Sequence, residues 1–163
     1  MQWFKRWVNA GRNFRRLWKN YLFQSLLAAA VTAVVFWILS LRDAVVVASL
    51  GATAFIIFAA PSSTPAQPVR AIGGQIIGCI CGGLGVLLLN SWSVSPVIID
   101  SLMIGLSFFL MISLDLYHPP AAGTALGIAI ADSYSKALIT VLVAVVLMSL
   151  AQRLFRKYLK DLA

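Results

Sequence analysis

Residues 21–60 read YLFQSLLAAAVTAVVFWILS, then LRD, then AVVVASLGATAFIIFAA: two apolar runs, Tyr21 to Ser40 and Ala44 to Ala60, parted only by Leu41-Arg42-Asp43. The first run is long enough to rise about 30 Å as a helix, the thickness of bilayer hydrocarbon. A separator of three residues turns the pair into a helical hairpin. The stretch that follows, Pro61-Ser62-Ser63-Thr64-Pro65-Ala66-Gln67-Pro68-Val69-Arg70, closes the hairpin, because each proline lacks an amide hydrogen and cannot continue a helix. The reading is all-α and membrane-spanning.

Further along come apolar runs at Ala71 to Asn90, Val97 to Leu114, Ala121 to Ala131 and Ala137 to Gln152. The third run is rich in glycine (Gly73, Gly74, Gly78, Gly82, Gly83, Gly85), and Gly74-x-x-x-Gly78-x-x-x-Gly82 lays a smooth stripe on one face. Close helix packing is the expected use, and homo-oligomerisation a second one. Ala121 to Ala131 would rise only about 16 Å, short of a crossing unless flanking residues add to it. Composition agrees: 163 residues that are 61% hydrophobic and 11% charged, with mean hydropathy +0.91, exceed what a soluble core of this size can bury.

The formal charge is +8, from thirteen Lys and Arg against five acids, all of them Asp. Lys5, Arg6, Arg12, Arg15, Arg16 and Lys19 precede the first apolar run, and Arg153, Arg156, Lys157 and Lys160 follow the last. Cations that border spans reflect positive-inside retention rather than nucleic-acid binding. Residues 1–20 interleave these cations with Trp3, Phe4, Trp7, Val8, Phe14 and Trp18, a pattern suited to an amphipathic interfacial helix or, equally, to a solvated basic leader. A cleaved signal peptide does not fit the length of the run that follows. With both termini cytoplasmic in a bacterial inner (plasma) membrane, the crossings must be even in number, and six segments place Arg70 inside with both ends, and Arg42 and Lys136 outside. Four crossings with re-entrant weak segments are the alternative. Three regions result: a basic segment 1–20, a transmembrane domain 21–152 and a basic tail 153–163. Cys79 and Cys81, spaced by two, point to different helix faces and read as small buried hydrophobes.

One internal repeat stands out, at an offset of 71 residues. Gly51-Ala52-Thr53-Ala54 overlies Ala122-Gly123-Thr124-Ala125, and the same offset carries the first run onto the fourth and the third onto the last. Repeats of about 21–90 and 92–152 with three segments each would be inverted, the architecture of many secondary transporters with a substrate site at the midplane. Thr53 lies nine residues past Ala44, and Thr124 nine past Asp115, so both threonines are expected about half-way through the hydrocarbon.

His118-Pro119-Pro120 is the sharpest local signal. Proline suits the first helical position, so a helix should begin near Pro120 and offer the amides of Ala122, Gly123 and Thr124 to a small anion. Gly51, Ala52 and Thr53 would supply the same from the other repeat. His118, the only histidine, could be a structural residue or, oriented by Asp115, a proton-coupling element. No paired carboxylates, metal-ligand cluster, nucleophile elbow or phosphate loop is present, which argues against an enzyme, a metal site or a cofactor. Ser62, Ser63 and Thr64 read as caps.

At these residues the chain resembles the HPP family of integral membrane proteins, through His118-Pro119-Pro120 with Ala121-Ala122-Gly123-Thr124-Ala125-Leu126, and through Ser49-Leu50-Gly51-Ala52-Thr53-Ala54 with Ala60-Pro61-Ser62-Ser63, Ala66-Gln67-Pro68 and Gly73-Gly74. Two positions depart from the pattern: Thr64-Pro65 replaces an expected proline near 64, and Gln75 stands where a histidine often follows the glycine pair. The resemblance implies nitrite transport, with Pro61, Gln67, Pro68, Pro119 and Pro120 as structural motif residues. The residues alone imply a small-anion permease among membrane lipids. The competing expectation is a non-transporting membrane subunit that recruits a partner or lipid.

Overall fold

A computed structural model describes the backbone of residues 2–39, 44–91 and 94–162, and the side chains of 15–37, 44–91 and 94–162. Its elements are α1 (Gln2–Leu39), α2 (Ala44–Ala59), a 3-10 turn (Thr64–Ala66), α3 (Pro68–Ser91), α4 (Pro96–Ser113), α5 (Pro120–Ala129) and α6 (Tyr134–Phe155). Among the described residues, four helices are long and apolar enough to cross a membrane: Arg15–Trp37 within α1, α3, α4 and α6. α2 and α5 are shorter apolar helices. The basic N-terminal segment is not a separate helix, since α1 runs unbroken from Gln2 to Leu39. Arg42 and the side chains of Trp3, Trp7 and Phe14 lie outside the described residues.

Proline sets three of the helix starts. Pro68, Pro96 and Pro120 each occupy the first position of a helix, where the missing amide hydrogen would have had no intrahelical partner. α4 ends in a Schellman turn: the Leu116 amide donates to Met111 O at 2.9 Å and the Asp115 amide to Ile112 O at 3.3 Å. Asp115 takes the left-handed conformation that this turn requires, at φ 54°, a place more often filled by glycine.

The core has two apolar halves. One joins α1, α2 and α6 around Val35, Leu50, Phe58, Val145 and Met148. The other joins α3, α4 and α5 around Ile77, Met103, Met111 and Ala125. Cys79 belongs to the first and Cys81 to the second, both free and buried. The outward faces are apolar too: Trp37, Phe109 and Leu154 are 86%, 63% and 75% exposed, as expected of helices whose solvent is lipid. Packing partners exchange under the 71-residue offset: α1 meets α2 as α4 meets α5, and α1 meets α6 as α4 meets α3.

α3 and α5 form the closest contact. A methyl group added at Gly78 would stand 2.4 Å from Ala121 O, one at Gly82 would stand 2.6 Å from Ala125 O, and one at Gly74 would stand 2.6 Å from His118 Cβ. The glycine stripe is therefore occupied within the chain by α5 and the turn before it, and is not free to pair copies. α5 survives at ten residues because its Pro120, Ala121, Thr124, Ala125, Gly127 and Ile128 are buried against neighbouring helices.

The chain ends are also tied together. Asn20 Nδ2 donates to Tyr158 O (3.2 Å), Tyr21 Oη to Leu162 O (3.1 Å), Gln24 Nε2 to Lys160 O (2.9 Å), and the Lys160 amide back to Gln24 Oε1 (3.0 Å). The Leu162 amide donates to Ala59 O at 2.8 Å, and Asp161 Oδ1 accepts the Ser62 amide at 2.9 Å. Residues 156–162 are thus docked across α1 and the end of α2, not a free basic tail. Replacing Gly78 with Val should lower thermal stability of the purified protein in detergent by about 1–3 kcal/mol or more, because a backbone carbonyl blocks the new side chain. Gly83→Ala, with open space around it, should leave the unfolding temperature unchanged or slightly raised.

Candidate functional site

Where α2, α3 and α5 meet, between the two apolar halves, polar side chains gather. Ser49 and Thr53 come from α2, Gln75 from α3, Thr124 from α5, and His118 from the link between α4 and α5. Thr53, Gln75, His118 and Thr124 are 0% exposed and Ser49 is 5% exposed. A polar group sealed in an apolar bundle costs several kcal/mol unless it finds a partner, so the bonds here are obligatory.

Gln75 is the centre. Its Nε2 donates to Thr53 Oγ1 at 2.9 Å, and its Oε1 accepts from Thr124 Oγ1 at 2.6 Å. The two threonines related by the repeat therefore converge on one side-chain amide. Ser49 Oγ lies 2.7 Å from Pro120 O and 2.6 Å from Thr124 Oγ1. Thr53 Oγ1 lies 3.0 Å from Ser49 O and 3.1 Å from His118 Nε2. His118 Nδ1 faces Pro65 O at 2.8 Å, and since a carbonyl only accepts, Nδ1 carries a hydrogen.

The hydrogens can be counted. Three hydroxyl hydrogens (Ser49, Thr53, Thr124) face five contacts that need one: Pro120 O, the Ser49–Thr124 pair, Gln75 Oε1, Ser49 O and His118 Nε2. With His118 neutral, Thr53 must choose between Ser49 O and the imidazole. A proton on Nε2 would supply the fourth hydrogen and free Thr53 to serve Ser49 O. His118 lies in the link outside both helices, and its burial pushes the imidazole below its usual range, opposed by the bond to Pro65.

The expected amide donors are arranged differently. Gly51 and Ala52 are exposed residues in the interior of α2, where their amides belong to the helix ladder. At α5 the Ala121 amide donates to His118 O (3.0 Å) and the Ala122 amide to Pro119 O (3.1 Å). The tight first turn uses these amides itself, so Ala122 offers no free donor. Gly123 faces Ser49, and a methyl placed there would make ordinary contact with Ser49 Cβ at 3.6 Å.

Asp115 does not orient His118. Its carboxylate is exposed and pairs with Arg70, whose Nε also donates to Asp115 O at 3.1 Å. Gln67 accepts from Arg70 Nη1, and Gln67 O receives the Ala71 amide at 2.9 Å, so this motif residue steadies the start of α3. Pro61 O and Ala66 O accept from the buried Gln152 Nε2, at 3.4 and 3.0 Å. Ser63 Oγ donates to Ala60 O at 2.7 Å, a turn-stabilising bond. Among the described residues no three His, Cys, Asp or Glu side chains come together in a way that could hold a metal ion.

Sequence reading gave Gln75 only as a departure from the family pattern and Ser49 only as the start of a motif block, with a site role for neither. The available signals were a lone amide side chain in an apolar run, and a hydroxyl one helical turn before Thr53.

A sealed polar cluster inside a bundle whose outer faces are apolar defines an integral membrane protein of the helical, polytopic class. Residues 11–161 match the family described as HPP, transmembrane region, and the chain belongs to that family. A transmembrane protein of Dictyostelium discoideum is 28% identical over 134 residues, covering 77% of this chain; the chain spans about half of that relative's length, at 47%. No solved structure matches.

If Gln75 joins the threonines as the distances indicate, Gln75→Leu and Thr124→Val should each cost about 1–3 kcal/mol. The double variant should lose less than the sum, with a coupling of about 0.5–3 kcal/mol in thermal unfolding. Additive losses would show that the two side chains do not interact.

Proposed function

We propose that this protein carries a small inorganic anion across the membrane, nitrite being the species implied by the family resemblance, and that the Thr53–Gln75–Thr124 bridge is the element the anion engages. The observation that carries the reading is the convergence of two threonines, 71 residues apart and on different helices, on one buried neutral amide. Among the described residues no carboxylate bonds to this cluster, so no full negative charge in it opposes an anion. Nitrite is compact, bent and a multiple acceptor, which suits hydroxyl and amide donors.

Hydrogen supply gives the reading its mechanism. An anion must take hydrogen bonds from a cluster already short of hydrogens, and a proton on His118 Nε2 would provide both a donor and a compensating charge. Anion and proton would then travel together. Access requires the sealed bridge to open, and Gln75, held only through its side-chain amide, is the part that can swing. The exchange of packing partners under the offset supports two inverted repeats rocking about this point. The reading sets the protein in a bacterial inner membrane with both basic ends in the cytoplasm. Any association of copies would use outer faces such as that of Phe108 and Phe109.

Proteoliposomes containing the protein should take up nitrite, faster when an inward proton gradient is imposed. Thr124→Val should reduce uptake at least about tenfold while circular dichroism and gel filtration stay unchanged; normal uptake by a folded variant would remove Thr124 from the site. His118→Ala should lose the response to the proton gradient, and a full response would remove His118 from coupling. The sealing of the cluster favours a second reading, in which it is structural glue within a membrane subunit. That reading predicts no flux and stable co-purification with another protein.

A further inference from the structure

The docked C-terminal segment builds a basic cup that the transport reading does not use. The cup has a volume of about 330 Å³ and is lined by Lys19, Asn20 and Phe23 of α1 and by Lys157, Tyr158 and Lys160. Three lysines from opposite ends of the sequence line one small space, and its lining contains no carboxylate; Lys19 Nζ itself stands 5.8 Å from the Trp18 ring centroid. Among the described residues the salt bridge is Arg70–Asp115, so none of the three lysines is neutralised by a neighbour. The nearby Asp161 is engaged by the Ser62 amide.

The lysines are not brought together by chance contact of a loose tail. Asn20 holds Tyr158 O, and Gln24 and Lys160 exchange a reciprocal pair of bonds through the Lys160 backbone. Leu159, between them in sequence, is buried. The backbone is fixed, and an anion in the cup would be met by positive charge from both ends of the chain. The lining also has two aromatic rings, Phe23 and Tyr158; Phe23 meets Tyr158 and, beside the cup, Phe155 edge-on, with ring centroids 6.3 and 6.2 Å apart. Below it, Leu22 and Leu26 of the same span are exposed at 53% and 61%. Cations above an aromatic belt above an apolar helix face match the order of an anionic phospholipid: phosphate, glycerol, acyl chain.

We infer that Lys19, Lys157 and Lys160 bind the headgroup of an anionic phospholipid, which clamps the C-terminal segment to α1. Free phosphate shares the charge but would leave the aromatic and apolar wall without a role. The test uses the full-length protein in detergent, with lipid binding followed by native mass spectrometry and by thermal unfolding. Phosphatidylglycerol should bind and stabilise at least about tenfold more effectively than phosphatidylcholine. Lys157→Gln with Lys160→Gln should remove about tenfold of that affinity, and Lys19→Gln alone, which leaves the docked segment intact, should weaken it severalfold. Lys5→Gln with Arg6→Gln removes the same charge further back along α1 and should change binding less than about twofold. Three results would overturn the assignment: equal loss in the two double variants, equal binding of the neutral lipid, or protection by inorganic phosphate as strong as that by the lipid.

Discussion

The backbone contact between α3 and α5 is the constraint on which the rest of the molecule depends. In lipid, helices gain little from hiding apolar surface, and association rests on close packing and on polar groups that need partners. Glycines at 74, 78 and 82 let α3 meet the carbonyls of Ala121 and Ala125 and the Cβ of His118 directly. At that separation Gln75 reaches Thr124 Oγ1 at 2.6 Å. A side chain on the stripe would push α5 away, and the bridge to Thr53 would fall apart with it.

The bridge in turn explains how uncharged residues can be both buried and consequential. Every member satisfies another, so none carries the full cost of desolvation. The supply of hydrogens is nevertheless short, at the Ser49–Thr124 pair and at the histidine. Electrostatics is thereby divided in space. The excess positive charge lies on the flanks, where it orients the chain and lines a cup, while the middle works with dipoles and at most one added proton.

Much of the scaffold was legible in the sequence. Apart from α1, which begins at Gln2 and not at Tyr21, apolar runs gave the helices to within a few residues, because a span must be continuous and apolar to exist at all. Pro120 marked the start of α5, and Pro68 and Pro96 prove to open α3 and α4 for the same reason, since proline fits the first turn. The 71-residue offset put Thr53 on Thr124, and their hydroxyls do share Gln75. Four features were hidden. The amides of Ala121 and Ala122 turned inward because two prolines tighten the first turn of α5 onto His118 O and Pro119 O. Asp115 faced Arg70, 45 residues away, since its left-handed backbone points it out of the bundle and away from His118. Ser49 gained its role by lying opposite Pro120, and the basic tail by finding Asn20, Tyr21 and Gln24.

By itself, then, the sequence determined what each segment can be: which stretches must be helical, where they begin, where the cations sit, and which face of α3 is smooth. These follow from local covalent geometry and from the polarity of a continuous run. Tertiary structure alone decided which polar groups meet. A hydrogen bond is fixed by distances of a few tenths of an ångström between helices far apart in the chain, and no local pattern encodes that Gln75 would stand between two threonines, or Lys19 beside Lys157.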